Sequence, residues 1–172
     1  AGLWQFIPST GRMYGLEEDW WHADRRDVLA STKAAANYLK DLNVMFKGDW
    51  LLSIAAYNAG PGRVQKAIDA NIKLGKKTDF WSLNLPKETE KYVPKLLALS
   101  QVIKDPSRYN QKLLKIDNKP FLKSIELDSQ FDLALISQWT GLSIDQIYKY
   151  NPGLKRWATP ESLPYIILLP KQ

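Results

Sequence analysis

Residues 50–60, WLLSIAAYNAG, are apolar on almost every side of any helix they form. A helix with no polar face cannot lie on a surface, so this one is expected to run through the centre of a bundle. Asp49 stands in front of it as an N-cap and Gly60 behind it as a stop. The rest of the domain has to surround it. Near its end sit two polar side chains, Tyr57 and Asn58, which must find partners or face a cavity.

The flanking segments supply helices. Pro8 opens a short one that runs out at Gly15. Asp24 is the expected N-cap of a long helix ending at Gly48, with Val28, Thr32, Ala35, Leu39, Leu42 and Phe46 as its buried stripe. After Gly60, Pro61 and Gly62 are expected to turn the chain into RVQKAIDANIKLG. Pro86 opens a further helix with Tyr92, Leu96, Leu99 and Ile103 on one face; Pro94 removes a hydrogen bond there and is expected to kink or restart it. From about Asn118 the pattern changes. FLKSIELD reads as a strand, QFDLALISQWTG and SIDQIYKYNPG as helices, and YIILLP as a closing strand. Ser143 with Gln146 forms a capping box, and Leu142 with Ile147 a hydrophobic staple around it. The expected organisation is mainly α: a helical domain over 1–105, a linker over 106–118, and a small α+β module of order βααβ over 119–172.

Charge narrows the partners. The 172 residues carry 24 Lys and Arg against 18 Asp and Glu, a net +6. Residues 1–118 hold 18 of these cations against 13 anions, and 119–172 hold 6 against 5, so the excess belongs to the first part. Such a balance favours anionic surfaces through screened attraction. The lysines are dispersed, which tells against a nucleic-acid groove; a negatively charged wall polymer fits the charge balance equally well. The absence of cysteine excludes disulfides, thiolate metal sites and a cysteine nucleophile. The one histidine, His22, lies beside Trp20 and Trp21, excludes a multi-histidine zinc site and reads as a surface or packing residue. No apolar run approaches the roughly 18 residues that span a bilayer, and any export signal is expected outside these residues.

Three stretches do not read as core alone. GLWQF places the flat face of Trp4 beside the amide of Gln5, a pairing suited to the apolar face and polar rim of a sugar. AAYNAGPG carries Tyr57 and Asn58, and ETEKYVP carries Tyr92. Taken singly, Asn58 also reads as a helix cap, Gln5 as a surface amide, and the two tyrosines as core aromatics. Taken in order, GLWQFIPSTGR, AAYNAGPGRV and ETEKYVPKLLA resemble the lytic transglycosylases of bacterial cell walls, over residues 1 to about 105.

That resemblance implies a lysozyme-like helical fold acting on peptidoglycan glycan strands. Enzymes of this family cleave the bond between N-acetylmuramic acid and N-acetylglucosamine without water and leave an anhydro-muramyl end. By the same resemblance, Gln5, Tyr57 and Asn58 line sugar subsites and Tyr92 lies near the catalytic carboxyl; Trp4, beside Gln5 in a glycine-flanked turn, is the expected sugar platform. The family uses one Glu, followed by Ser, as acid and then base. No such pair precedes the Gly-Leu-Trp-Gln motif here, so the catalytic Glu is expected upstream of Ala1 and this chain alone is expected to be inactive. Glu17, Glu18, Asp19, Glu88 and Glu90 read instead as exposed charge. No metal or cofactor is implied. The implied location is the bacterial envelope, periplasmic and tethered to the outer membrane by a segment outside this chain. The module over 119–172 resembles a LysM repeat, which either binds N-acetylglucosamine-containing glycans or only packs against the first domain. The main rival reading is a non-catalytic peptidoglycan- or chitin-binding protein. A basic nucleic-acid binder is a third, with no motif in its favour.

Overall fold

The structure, a computed structural model, describes residues 1–171. In chain order its elements are α1 (Pro8–Met13), α2 (Val28–Met45), α3 (Trp50–Ala59), α4 (Pro61–Lys73), α5 (Lys87–Lys104), β1 (Leu122–Leu127), α6 (Leu133–Thr140), α7 (Ile144–Tyr150) and β2 (Tyr165–Pro170). Short 3-10 turns lie at Phe80–Ser82 and Ser107–Tyr109. The fold is mainly helical with a small βααβ module, as the sequence implies. By packing, the chain forms two compact units: Asn37–Asp117, and Ala1–Ala36 together with the chain from Asn118 onward. The division falls inside α2. Among the described residues no helix is long and apolar enough to cross a membrane.

In the unit of residues 37–117, α3 is central. Ala55 and Ala56 have no exposed surface, and Leu52 and Ser53 are buried beside them. These join Leu42, Phe46, Val64, Phe80, Leu83, Leu85 and Val93 in one core. Asp49 caps α3, accepting from the Leu51 and Leu52 amides at 2.9 and 3.0 Å. Gly60 (φ +90°) alone makes the corner, and α4 begins at Pro61 without the further turn expected of Pro61–Gly62. Beyond α4, buried Asn71 donates to the Lys77 and Ser82 carbonyls at 2.7 and 2.9 Å and pins the loop that leads to α5.

Three expectations need correction. The α2 cap is Asp27, whose carboxylate accepts from the Ala30 amide at 2.7 Å. Asp24 instead accepts from the Glu17 amide and His22 Nδ1. The buried stripe of α2 runs through Ser31, Ala34, Ala35, Leu42 and Phe46, while Val28 and Thr32 are exposed. Small side chains let that face pack closely, so its burial does not follow the large apolar residues. Of the kink or restart expected at Pro94, no restart occurs: α5 is one continuous element. The carbonyl that loses its partner belongs to exposed Glu90, where water can replace the bond. The face of α5 holding Tyr92, Leu96, Leu99 and Ile103 is exposed; Thr89 and Val93 carry the buried side.

In the other unit, β1 and β2 pair antiparallel from Leu122↔Pro170 to Leu127↔Tyr165. Leu133, Ile136, Ile147, Leu154, Tyr165, Ile167 and Leu169 form its core, with Leu142 packed against it. Both arms of the capping box at Ser143 and Gln146 are formed. Asn151 is more than a terminator of α7. Buried at 2% exposure, its amide donates to the Ile147 and Leu168 carbonyls, both at 2.9 Å, and accepts from the Leu168 amide at 2.7 Å. It thus ties the free edge of β2 to α7. Asn151→Ala leaves both backbone groups of Leu168 buried without partners and is expected to cost roughly 2–4 kcal/mol. Denaturant unfolding followed through strand-residue amide signals checks this; a loss under roughly 0.5 kcal/mol contradicts it.

Candidate functional site

The end of α3 brings three of the expected residues together. Asn58 is not a helix cap; that position belongs to Gly60. Its side chain reaches α5 instead. The Thr89 hydroxyl donates to Asn58 Oδ1 at 2.7 Å, and Asn58 Nδ2 donates to Glu88 Oε1 at 3.2 Å. Thr89 is buried, at 1% exposure. Both ends of the carboxamide are therefore fixed, which settles its orientation and leaves one N–H of Nδ2 for another acceptor. Glu88 is exposed, as the sequence suggests, and accepts the Asn58 hydrogen bond from that position.

Tyr57 lies on the same helix end. Its ring packs against Tyr38 at 5.3 Å between centroids. Burial, above all, pushes its phenol up to about 12, and the neighbouring phenols of Tyr92 and Tyr38 add to the shift. Tyr92 is 37% exposed, one helical turn beyond Glu88. The result is a half-open cluster of one oriented amide and two phenols, a set that both donates and accepts hydrogen bonds.

Trp4 and Gln5 belong to the other compact unit, on the turn before α1. Gln5 has φ +52°, a left-handed conformation that costs a non-glycine residue about 1–2 kcal/mol. Its Nε2 donates to the Gly2 carbonyl at 2.6 Å, which leaves Oε1 and the second N–H outward. The Trp4 indole N–H donates to Thr32 Oγ1 at 2.8 Å and anchors the ring on α2. Gly2 (φ +70°) admits no side chain: a Cβ there would lie 2.1 Å from the Arg25 carbonyl oxygen.

Sequence reasoning missed the organisation around Glu17–Asp19. Asp19 Oδ1 accepts from the Trp21 and His22 amides at 2.7 and 2.6 Å. Glu18 pairs with Arg25 at 3.2 Å and Lys155 at 3.0 Å. Hydrogen bonds from Lys155 and then Arg25 hold its carboxyl below the usual range, so it stays ionised and is unsuited to donate a proton. A cavity of about 360 Å³ lies among Pro8, Arg12, Leu16, Glu17, Glu18 and Arg25, and one of about 210 Å³ on the side of Asp24 and Tyr165. Neither includes the expected sugar-binding residues; ion pairs shape both. His22 is a packing residue, ringed by Asp24 and Tyr165. Among the described residues, no three His, Cys, Asp or Glu side chains gather as metal ligands.

Tyr57 gives a sharp test. Its folded pKa lies above the ordinary value of 10, so its contribution to stability is complete below pH 10 and is lost as pH rises toward about 12. The wild-type minus Tyr57→Phe difference at 295 nm is expected to show phenolate only near that upper value. Ionisation near pH 10 contradicts the packing described.

The family model "Transglycosylase SLT domain" matches residues 1–80, and "Lytic transglycosylase MltD, LysM-like domain" matches residues 121–172. The chain is 48% identical over its full 172 residues to the membrane-bound lytic murein transglycosylase D of Escherichia coli (strain K12), covering 38% of that protein. The same identity and coverage hold for the protein of that name from Escherichia coli O6:H1 (strain CFT073). The chain thus spans well under half the length of these relatives. With a transglycosylase SLT match over residues 1–80, an MltD LysM-like match over residues 121–172 and 48% identity over its full length to murein transglycosylase D, the chain belongs to the SLT-domain lytic transglycosylase family.

Proposed function

We propose that this chain is the glycan-binding part of a peptidoglycan lytic transglycosylase. The parent protein breaks the bond between N-acetylmuramic acid and N-acetylglucosamine without water and leaves an anhydro-muramyl end. The observation that carries this reading is the doubly held amide of Asn58 beside Tyr57 and Tyr92. Neutral, oriented donors suit an acetamido sugar, whose recognition groups are an amide and hydroxyls. Gln5, in its strained turn, presents a second amide of the same kind, with Trp4 next to it as an apolar platform. The positive excess in residues 1–118 favours an anionic wall polymer over a neutral glycan such as chitin.

The proton-transfer carboxyl is assigned to a part of the parent protein outside these 172 residues. Glu18 is held ionised by two cations, and Glu88 is occupied with Asn58. In the proposed organisation the transglycosylase domain takes residues 1–105 and the LysM-like module 119–172, and the parent protein works in the periplasm, attached to the outer membrane. The name of the Escherichia coli relatives, which calls them membrane-bound, supports an envelope location.

Incubation with purified peptidoglycan sacculi tests the proposal. The 172-residue chain is expected to bind sacculi yet release no anhydro-muropeptides, whereas a version extended upstream to include a Glu-Ser pair releases them. In that version Asn58→Ala is expected to slow release by about ten- to a hundredfold. Equal release by the short chain contradicts the placement of the carboxyl. Binding without release by every extended version supports a non-catalytic glycan binder instead.

A further inference from the structure

The LysM-like module and the Gly2–Phe6 turn belong to one compact unit, and residues 17–25 run between them. The module meets this loop through backbone pairing. The Ala23 amide donates to the Gly153 carbonyl at 2.9 Å, and the Lys155 amide to the Trp21 carbonyl at 2.8 Å. Gly153 is required there, since a Cβ would sit 2.1 Å from His22 Nε2. Trp157 meets Trp21 edge-on at 5.6 Å, and the Arg156 guanidinium lies 3.8 Å from the centre of the Trp20 ring. Lys155 Nζ then donates to the Asp19 carbonyl at 2.6 Å and to Glu18 Oε1 at 3.0 Å.

The chain of contacts continues from Glu18. Its other oxygen accepts from Arg25 Nη2 at 3.2 Å, and Arg25 Nη1 donates to the Phe6 carbonyl at 3.1 Å. The same carbonyl accepts from the Ala1 amino group at 3.1 Å. The backbone carbonyl of Arg25 also walls in Gly2, and the Arg25 side chain packs on Gly11 in α1. Arg25 therefore touches the Gln5 turn on both flanks. A guanidinium has the fork that reaches Glu18 and Phe6 at once; a lysine does not.

We infer that Lys155, Glu18 and Arg25 are positioning residues, through which the docked LysM-like module holds the Gly2–Phe6 turn in the shape that presents Gln5 and Trp4. The module then acts on the first sugar-binding segment from within the same chain, whatever glycan it also binds. The significance of the turn for sugar rests on the function proposed above; the mechanical link does not.

The test uses the 172-residue chain and its Lys155→Met, Lys155→Arg, Glu18→Gln and Arg25→Lys variants. Two reporters lie on the turn, the Trp4 indole N–H and the Gln5 side-chain amide, both hydrogen-bonded in place. In Lys155→Met, Glu18→Gln and Arg25→Lys, the indole N–H is expected to exchange roughly five- to tenfold faster. The Gln5 amide signals should move at the same time, and Lys155→Arg should restore both reporters. Protected Ala23 and Lys155 amides show that the module remains docked. Where Lys155→Met exposes them too, Glu18→Gln, which keeps Lys155 and both backbone bonds, decides. Unchanged reporters in Glu18→Gln and Arg25→Lys overturn the inference. Titration with a tetrasaccharide of N-acetylglucosamine separates the two proposals. No response in wild type removes the sugar reading while the exchange data still judge the link; sugar binding in wild type together with unchanged reporters in Glu18→Gln and Arg25→Lys removes the link alone.

Discussion

The close approach of α5 to the end of α3 is the contact on which the candidate site depends. It is possible because Ala55 and Ala56 present almost no side chain to their neighbours and have no exposed surface. A bulkier pair would hold α5 away, and the 2.7 Å bond from Thr89 to Asn58 would be lost. That bond needs no charge and no exposed residue at its donor end, so solvent competes with it little. The apolar character of α3 and the orientation of a polar amide are thus one fact. The helix must be buried, and its last turn carries the amide to the place where the burial ends.

The two compact units use different means to hold their functional groups. In residues 37–117, packing and neutral hydrogen bonds fix Asn58 and Tyr57. Around the Gln5 turn, the links are charged and partly exposed: Glu18 has 44% of its side chain open, and such pairs weaken in salt. Backbone pairing between residues 21–23 and 153–155 offsets this, since each bond there is local to two extended segments. The LysM-like module keeps its own core, and Asn151 satisfies the outward backbone groups of Leu168 on its β2 edge.

Much of this was legible in the sequence because its cause is local. Asp49, Gly60, and the Ser143–Gln146 box act within four residues, and the order of strands and helices after Asn118 follows from pattern alone. Asp27 rather than Asp24 caps α2 because Asp24 is drawn to Glu17 and His22, partners that a helix template does not contain. Ser31 and Ala34 join the expected Ala35, Leu42 and Phe46 on the buried stripe in place of Val28 and Thr32 because close packing selects small residues, a choice invisible to hydrophobicity. Tyr57, Asn58 and Tyr92 are singled out by their motifs, and the structure brings them to one end of α3. Glu88 and Thr89 were not, although ETEKYVP contains both, because nothing in spacing says which side chain of a helix meets an amide 30 residues earlier. The pairing of residues 17–25 with 153–157 left no local sign at all.

The central claim is that Asn58, with Tyr57 and Tyr92, recognises an acetylated sugar. Isotope-filtered nuclear Overhauser measurements on the labelled chain with an unlabelled N-acetylglucosamine oligosaccharide address it directly. The account predicts contacts from an acetamido methyl of the sugar to the rings of Tyr57 and Tyr92 and to the Asn58 amide protons. Contacts confined to residues of the LysM-like module, with none to these three side chains, would contradict it.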